Sequence, residues 1–364
     1  MPEAFIADRV FTGNQWLDQH AVVTDNGNIV DVVPVSSLPA TMSKKEFPGH
    51  FIAPAFIDLQ IYGAYGKLVS VFPEEDALNR LRSYCERGGA AYCLPTLATN
   101  TKEVFYKGID AVRRYWKNGG QGILGLHLEG PWINAAKRGA HIESLIHAPS
   151  MQEVKELLEY GKGVIKIITL APEICSKEII AYIRSQGIII SAGHSNATYK
   201  EAKDGFNNDI TTVTHLFNAM SPLQHREPGL AGAAMDDKKV FASIIPDGHH
   251  VDYVAIRIAK KVMQERLFVI TDAVTDTNEG PYQHYLNGDK YEAAGILSGS
   301  ALDMIKAIRN LVQYCDIPLE EALRMCSSYP AKVIGEEKRF GMIEKDYEAK
   351  LVIVKNDLSA ATVL

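Results

Sequence analysis

The sequence predicts an α/β fold, namely a (β/α)8 barrel with a small β-sandwich domain built from both chain termini. Three observations support this prediction. Eight apolar runs alternate with amphipathic stretches through the middle of the 364-residue chain. The runs are continuous, which is typical of parallel strands buried on both faces. Short β-rich segments lie at both ends, and polar residues end several central runs, as barrel active sites require.

The terminal segments predict the small domain. FIADRVFTG, AVVTDNG and NIVDVVPV are short β-rich runs near the N-terminus, and the turn Asp25–Asn28 separates the last two. A turn that contains Asn-Gly between two such runs indicates a hairpin. The stretch MIEKDYEAKLVIVKNDLSAATVL at the other end again resembles strands. We therefore expect residues 1–50 and 340–364 to form one discontinuous domain that flanks a barrel of residues 51–339.

The barrel strands are predicted in order from the eight apolar runs. They span residues 56–62, 91–97, 123–129, 164–170, 187–194, 211–217, 240–246 and 267–273. Amphipathic stretches such as PEEDALNRLRSYCERGG, SKEIIAYIRSQG and VDYVAIRIAKKVMQE separate several of them. This alternation favours a closed barrel. An open doubly wound sheet is the alternative, but no Gly-x-Gly-x-x-Gly motif follows the first strand.

Composition excludes several classes of function. The chain is 46% hydrophobic and 23% charged with a formal net charge of −6, which is ordinary for a soluble protein. No basic tract indicates nucleic-acid binding. Every apolar run is shorter than the roughly 18 residues of a membrane span. The five cysteines form no CxxC pair, and no signal-peptide pattern opens the chain. We expect a reduced, cytoplasmic protein.

Four polar residues at predicted strand ends carry the functional prediction. Glu129, His194 and His215 end strands three, five and six, and Asp272 ends strand eight. Any one of them alone is as well explained as a solvated, hydrogen-bonded or helix-capping group. Together they converge on the C-terminal face of a barrel, where a carboxylate and two imidazoles suit a catalytic metal with an open position for water. Asp272 is the candidate general base.

Further polar residues lie on loops that follow these strands. His141 in KRGAHIES is placed to polarise a carbonyl, although a loop histidine is usually just solvated. One of the adjacent His249 and His250 is placed to face the mouth of the barrel. The loop HLFNAMSPLQHREPGLAG supplies groups suited to a phosphate oxyanion, namely Asn218, Ala219 and Arg226.

These motifs carry a family resemblance. PAFIDLQIYG, HLEGPW, AGHS, THLFNAM, REPGLAG, DGHHVD and VTDA, in this order, resemble the N-acetylglucosamine-6-phosphate deacetylases of the amidohydrolase superfamily. The resemblance runs from about residue 50 to the C-terminus. It implies removal of the acetyl group from N-acetylglucosamine 6-phosphate, with one divalent metal ion, zinc, per subunit.

The resemblance also implies a role for each matched residue. Glu129, His194 and His215 would hold the metal, Asp272 would act as base and then acid, and His141 would support the oxyanion. The phosphorylated sugar would be bound by Asn218, the backbone of Ala219, and His250. Arg226 would reach the site of a neighbouring subunit, which implies a homodimer.

The sequence departs from the wider superfamily on the first barrel strand. Many amidohydrolases have His-x-His there and bind two metals, whereas this chain has Gln60-Ile61-Tyr62. We therefore expect a mononuclear site, and the role of Tyr62 is open. Three alternatives are the same reaction on the galactosamine epimer, a non-catalytic sugar-phosphate sensor, and a deaminase or cyclic amidase. The missing His-x-His and the motif REPGLAG argue against the last.

Overall fold

The computed structural model describes residues 2–364. Its strands, in chain order, are β1 Glu3–Phe11, β2 Trp16–Asp18, β3 His20–Asp25, β4 Asn28–Pro34, β5 Ser43–Pro54, β6 Phe56–Ile61, β7 Gly63–Ala64, β8 Lys67–Leu68, β9 Ala90–Ala98, β10 Leu126–Glu129, β11 Ile165–Leu170, β12 Ile189–Ala192, β13 Thr212–Val213, β14 Phe241–Ile244, β15 Leu267–Val269, β16 Tyr285–Asn287, β17 Lys290–Ala293, β18 Ile296–Ser300, β19 Leu351–Lys355 and β20 Ala361–Val363.

The α-helices alternate with the central strands. In chain order they are α1 Glu75–Arg87, α2 Lys102–Lys117, α3 Met151–Tyr160, α4 Lys177–Ser185, α5 Tyr199–Asn207, α6 Gly229–Asp236, α7 Tyr253–Met263, α8 Met304–Tyr314, α9 Leu319–Cys326 and α10 Ser328–Val333. The amphipathic stretches chosen from the sequence are α1, α4 and α7, as predicted. Among residues 2–364, no helix has both the length and the apolar character to cross a bilayer.

Polar residues fix where several of these helices begin. Thr198 and Glu201 form a capping box at the start of α5, in which each side chain accepts a hydrogen bond from the other residue's backbone N–H. Ser150 and Ser176 accept N-cap hydrogen bonds from Glu153 and Ile179 at the starts of α3 and α4. Such caps satisfy backbone donors that the first turn leaves without partners.

The predicted barrel is confirmed. Eight parallel strands lie in the order β15-β14-β13-β12-β11-β10-β9-β6, and each predicted apolar run contributes one of them. A parallel bridge from Ile61 to Ala273 joins the two ends of this sheet. Hydrogen bonds of 2.9 Å from Asp272 N to Gln60 O and from Tyr62 N to Ala273 O strengthen the closure. The open-sheet alternative is therefore wrong.

The strands are shorter than the apolar runs that predict them. β12, β13 and β15 end two or more residues before His194, His215 and Asp272, respectively. All three residues have a left-handed backbone, with φ of 46°, 34° and 54°. Non-glycine residues rarely adopt this conformation, and it turns each chain out of its strand at the C-terminal face of the barrel.

The terminal segments form a seven-stranded mixed sheet in the order β20-β19-β5-β1-β3-β4, with β2 paired to β1. The small β domain from both termini is therefore confirmed. Alternate residues of β1 lie in different apolar clusters: Phe5 and Ala7 belong to one, and Ala4 to another. The predicted turn has positive φ at Asn26 and Gly27, 50° and 81°. This is the backbone of a hairpin turn of type I′.

The chain groups into two compact units. One comprises the residues up to Asp58 together with Tyr84–Tyr92 and Asp303–Leu364, and the other comprises Leu59–Ser83 and Cys93–Leu302. The domain boundaries at residues 50 and 340 stay a prediction. Between β15 and α8, in the second unit, lies a three-stranded antiparallel ribbon of β16, β17 and β18 that the sequence reasoning did not predict.

Candidate active site

The strand ends surround one cavity of about 390 Å³ in the unit Leu59–Ser83 and Cys93–Leu302. Eight of the residues singled out from the sequence line it, namely Glu129, His141, His194, His215, Asn218, Ala219, His250 and Asp272. The strand ends that the sequence singled out therefore meet at one cavity. Most of their side chains are buried, so their charges interact more strongly than they would in water.

Glu129 lies at the centre of the cavity's polar groups. Its Oε1 atom is 3.2 Å from His194 Nε2 and 3.0 Å from His215 Nε2. Burial raises the pKa of Glu129, but the field of His194 and the hydrogen bond from His141 outweigh burial and hold the pKa well below its usual range. The carboxylate is therefore ionised at neutral pH. The next residue is glycine, Gly130, because the Cβ atom of any other residue would lie only 2.2 Å from Thr99 Oγ1.

The hydrogen-bond partner of His194 Nδ1 shows which tautomer the ring adopts. Nδ1 lies 2.9 Å from the backbone oxygen of Lys137, and a carbonyl only accepts hydrogen bonds. A neutral His194 therefore carries its proton on Nδ1 and has a lone pair on Nε2. This lone pair faces Glu129 Oε1 at 3.2 Å and His215 Nε2 at 3.2 Å. An imidazole held this way by a carbonyl is the usual arrangement of a metal ligand.

The donor set fits a divalent metal ion. Glu129 Oε1, His194 Nε2 and His215 Nε2 form a triangle with sides of 3.0–3.2 Å. Zinc bonds of about 2.0–2.1 Å at tetrahedral angles separate two ligand atoms by about 3.3 Å. An anionic oxygen and an imidazole lone pair also repel each other unless a cation lies between them. This buried set of one carboxylate and two imidazoles therefore supports a divalent metal between them.

His141 is a hydrogen-bond donor toward the same carboxylate. Its Nδ1 accepts from the backbone N–H of Thr99 at 3.3 Å and lies 2.7 Å from Thr99 Oγ1. Burial, with help from His194, lowers the pKa of His141 to about 4. The ring is therefore neutral with its proton on Nε2, which is 3.2 Å from Glu129 Oε2. Glu129, His141 and His194 also form a compact trio, but a donor nitrogen cannot ligate a metal, so His215 suits that role better.

Asp272 is 7% exposed and lines the cavity. The barrel closure holds its backbone on both sides: its N–H donates to Gln60 O, and its carbonyl accepts from Ser300 N, both at 2.9 Å. The side chain is thereby fixed at the C-terminal face. Asp272 does not cap the helix that follows, because the ribbon intervenes and Asp303 caps α8.

The residues predicted to bind the sugar phosphate divide into two groups, one that lines the cavity and one that does not. Asn218, Ala219 and His250 line the cavity, and His250 Nδ1 lies 2.6 Å from the buried Asp247 Oδ2. The loop residue Arg226 is exposed and is not among the cavity-lining residues of the described chain. His249 is turned away as well and contacts Asp289 at 2.7 Å.

Three further residues surround the site, and sequence reasoning left all of them without a role. Tyr62 OH donates to Glu129 Oε2, and Gln60 Nε2 donates to Glu129 Oε1 at 3.0 Å and lies 2.9 Å from the Tyr62 oxygen. Burial raises the pKa of Tyr62 well above its ordinary value, so the phenol keeps its proton. His127 extends the polar layer inward, with its Nε2 atom 2.7 Å from Thr169 Oγ1. The only feature of the sequence that places His127 near the site is its position on β10 two residues before Glu129, since alternate residues of a strand share a face.

Comparison with known proteins gives the family. The amidohydrolase family model matches residues 51–363, and that of the NagA composite domain matches residues 4–52. The chain belongs to the amidohydrolase family. This amidohydrolase is 33% identical to the N-acetylglucosamine-6-phosphate deacetylase of Haemophilus influenzae, over 97% of the chain and 95% of the relative.

This amidohydrolase is also similar to a second curated relative and to a solved structure. An N-acetylgalactosamine-6-phosphate deacetylase of Escherichia coli O157:H7 is 28% identical over 98% of the chain and 96% of the relative. The crystal structure of N-acetylglucosamine-6-phosphate deacetylase from Pasteurella multocida superposes with a TM-score of 0.95 at 34% identity, covering 100% of this chain and 98% of that one. The fold, both terminal segments and the whole barrel are therefore shared.

Proposed function

We propose that this amidohydrolase hydrolyses the acetamide of N-acetyl-D-glucosamine 6-phosphate and yields D-glucosamine 6-phosphate and acetate, in amino-sugar catabolism. The observation that carries the proposal is the triangle of Glu129 Oε1, His194 Nε2 and His215 Nε2, open to a cavity that Asp272 and His141 also line. The names of the Haemophilus and Pasteurella relatives support this substrate.

The proposed reaction assigns a task to each side chain. When bound by Glu129, His194 and His215, a divalent cation supplies Lewis-acid chemistry: it lowers the pKa of water and polarises the amide carbonyl. Asp272 takes a proton from the attacking water and returns it to the departing amine, which would otherwise leave poorly. His141 Nε2–H donates to the carbonyl oxygen as negative charge develops there. Removing one such donor typically costs about 10²–10³ in kcat.

We infer that the opposite part of the cavity binds the phosphorylated sugar through Asn218, the backbone of Ala219, and His250. The contact of 2.6 Å with Asp247 fixes the His250 ring. Arg226 is exposed in its own chain, and we propose that it reaches the phosphate in a neighbouring subunit of a homodimer. A phosphate distant from the reacting bond supplies binding energy that positions the acetamide.

We further propose zinc as the metal and the cytoplasm as the location. Imidazole and carboxylate ligands with a tetrahedral spacing suit zinc. Four of the five cysteines are buried, which suits a protein that keeps its thiols reduced. We also propose that residues 1–50 and 340–364 form the accessory domain and residues 51–339 the catalytic barrel.

A second substrate has specific support. The Escherichia coli relative is an N-acetylgalactosamine-6-phosphate deacetylase, and the two sugars differ only in the configuration at one ring hydroxyl. The same deacetylation of the galactosamine epimer is therefore the second candidate. A non-catalytic sugar-phosphate sensor is disfavoured, because such a module has no need of Glu129, His194, His215 and Asp272 together.

The proposal is tested by acetate release. Purified protein is assayed with the 6-phosphates of N-acetylglucosamine and N-acetylgalactosamine and with both unphosphorylated sugars, and its metal content is measured on the same sample. We expect kcat/KM to be highest for N-acetylglucosamine 6-phosphate. Higher kcat/KM with the galactosamine epimer would select the second candidate, and absence of acetate from every sugar would favour the sensor.

We predict that full activity needs one metal ion per chain. The side chains of Gln60 and Tyr62 both contact the Glu129 carboxylate as hydrogen-bond donors, and neither supplies the imidazole nitrogens with which a His-x-His motif holds a second cation. The measurement is elemental analysis during stepwise zinc addition to chelator-treated protein, with kcat followed in parallel. Activity that reaches its maximum only at two metal ions per chain would contradict this prediction.

We predict that Arg226→Ala raises KM for the phosphorylated sugar and leaves the poor rate with the unphosphorylated sugar nearly unchanged. A guanidinium can contact a phosphate through two parallel hydrogen bonds. Losing this contact should cost on the order of 2–5 kcal/mol if it is buried. The unphosphorylated sugar is the internal control. An equal loss with both sugars would show that Arg226 does not act through the phosphate.

The subunit arrangement has its own test. Mixed dimers of Arg226→Ala and Asp272→Asn chains should regain part of the activity, because one site then has both residues intact. Mixed dimers that form but regain nothing would place Arg226 within its own subunit or outside the reaction.

A further inference from the structure

His284 is a buried polar group in the cavity that the proposed mechanism does not use. It precedes β16 of the three-stranded ribbon and is 6% exposed. It lines the cavity that also holds Glu129 and Asp272. A histidine in a substrate cavity has either a structural or a binding role, and its two ring nitrogens distinguish these possibilities.

The His284 ring is held in place on one side. Nδ1 lies 2.7 Å from Ser298 Oγ on β18. The ring is nearly parallel to that of Tyr282, with centroids 6.5 Å apart and an interplanar angle of 6°. Tyr282 is itself anchored, because its OH donates to Thr99 O at 2.6 Å. No residue of the described chain hydrogen-bonds to His284 Nε2, so this nitrogen is left for a molecule in the cavity.

The surroundings of His284 indicate which part of a substrate would meet it. Apolar side chains border His284 in the cavity. The Tyr282 ring stacks beside the imidazole and shares an apolar cluster with Val274. Leu297, which also lines the cavity, directly precedes Ser298. Burial lowers the pKa of His284 to about 4, so the ring is neutral at physiological pH. A phosphate is bound best by cationic side chains and backbone N–H groups. A neutral imidazole beside apolar side chains instead suits a sugar ring, whose C–H face is apolar and whose hydroxyls form neutral hydrogen bonds.

We propose that His284 Nε2 hydrogen-bonds to a ring hydroxyl of the amino sugar and so helps to determine which N-acetylhexosamine the site accepts. This inference rests on the proposed function, and it adds a specificity residue on the ribbon. Ser298 is then a positioning residue, because its hydroxyl fixes the imidazole through Nδ1. Such a contact acts on substrate binding rather than on bond breaking.

The first test is His284→Phe, which keeps a flat ring beside Tyr282 but removes both nitrogens. We expect KM for N-acetylglucosamine 6-phosphate to rise about 3- to 10-fold, the effect of one neutral hydrogen bond, with kcat within about two-fold of wild type. The kcat/KM for the unphosphorylated sugar should fall by the same factor. His284→Gln, which retains a hydrogen-bonding group, should give an intermediate KM. His20→Phe on β3, outside the cavity, is the matched control and should leave KM unchanged.

The second test identifies the hydroxyl. Wild type and His284→Phe are assayed with substrate analogues that lack the 1-, 3- or 4-hydroxyl. For one analogue, wild-type kcat/KM should fall about 3- to 10-fold whereas the variant shows no further loss, since the contact is already gone. Equal losses in both proteins for every analogue would overturn the inference.

Other outcomes are equally decisive. Unchanged KM in His284→Phe, or a loss confined to phosphorylated sugars, would overturn the hydroxyl contact while the proposed function stands. If His284→Phe does not fold, Ser298→Ala replaces it and should raise KM in the same direction by a smaller factor. An unchanged KM in Ser298→Ala would then overturn the inference. Wild-type protein that releases no acetate from any sugar would overturn the proposed function, and the inference with it.

Discussion

Asp272→Asn is expected to lower kcat by about 10²–10⁴-fold, the usual contribution of proton transfer by a positioned side chain. The amide has the same size as the carboxyl group but accepts no proton from the attacking water. Asparagine also tolerates a left-handed backbone, so the φ of 54° at this position does not disfavour the variant. The metal ligands Glu129, His194 and His215 are untouched. We therefore expect normal metal content and a nearly normal melting temperature.

The measurements are kcat, metal per chain and thermal unfolding on the same preparation. Asp31→Asn, on an exposed part of β4, makes the same chemical change outside the barrel and should leave all three unchanged. Retention of more than about a tenth of wild-type kcat by Asp272→Asn would assign the proton transfer to another group.

Glu129→Gln is expected to weaken metal binding by more than about 100-fold, and activity is expected to fall with it. Even outer partners of metal ligands change affinity by about 10–100-fold, and Glu129 is the only anionic member of the proposed ligand triangle. The substitution also introduces an NH₂ group beside Gln60 Nε2 and Tyr62 OH, which already donate to this carboxylate. Hydrogen-bond donors that face one another in a buried site cannot all find acceptors, and each unpaired donor costs free energy.

Metal affinity is measured by competition with a chromophoric chelator, so the result does not depend on turnover. Glu103→Gln on the exposed surface of α2 is the matched control and should bind metal as wild type does. Stoichiometric metal in Glu129→Gln at chelator concentrations that the wild type withstands would remove Glu129 from the ligand set. Together with Asp272→Asn, this variant separates loss of metal from loss of the base.

The alternation of buried strands and helices was readable in the sequence because it reflects local periodicity. β6 and β9 are buried at every residue, as continuous apolar runs predict. The ends of the strands were less predictable. His194, His215 and Asp272 lie beyond β12, β13 and β15, since hydrogen bonds from neighbouring chain segments, such as Asp272 N to Gln60 O, impose the turn. No local propensity encodes a partner more than 200 positions away.

The candidate site, like the fold, was predictable from the sequence only in part. Glu129, His194, His215 and Asp272 were found because parallel strands have their C-terminal ends at one face of a barrel, so position along the chain implied proximity. The contact of Tyr62 with Glu129 and that of His284 with Ser298 carry no such signal. Tyr62 lies one residue past β6, and His284 precedes a ribbon with no apolar run to mark it. The tertiary arrangement alone shows that both face the cavity.

The sequence by itself determined the fold class, the eight barrel strands, the terminal β segments and the four strand-end residues, because each depends on periodicity or on order along the chain. The tertiary structure decided the rest: the tautomers of His141 and His194, the hydrogen bonds that occupy Tyr62, and the exposure of Arg226 in its own chain. These properties depend on distances and directions between atoms of remote segments. Only packing of the folded chain fixes those distances.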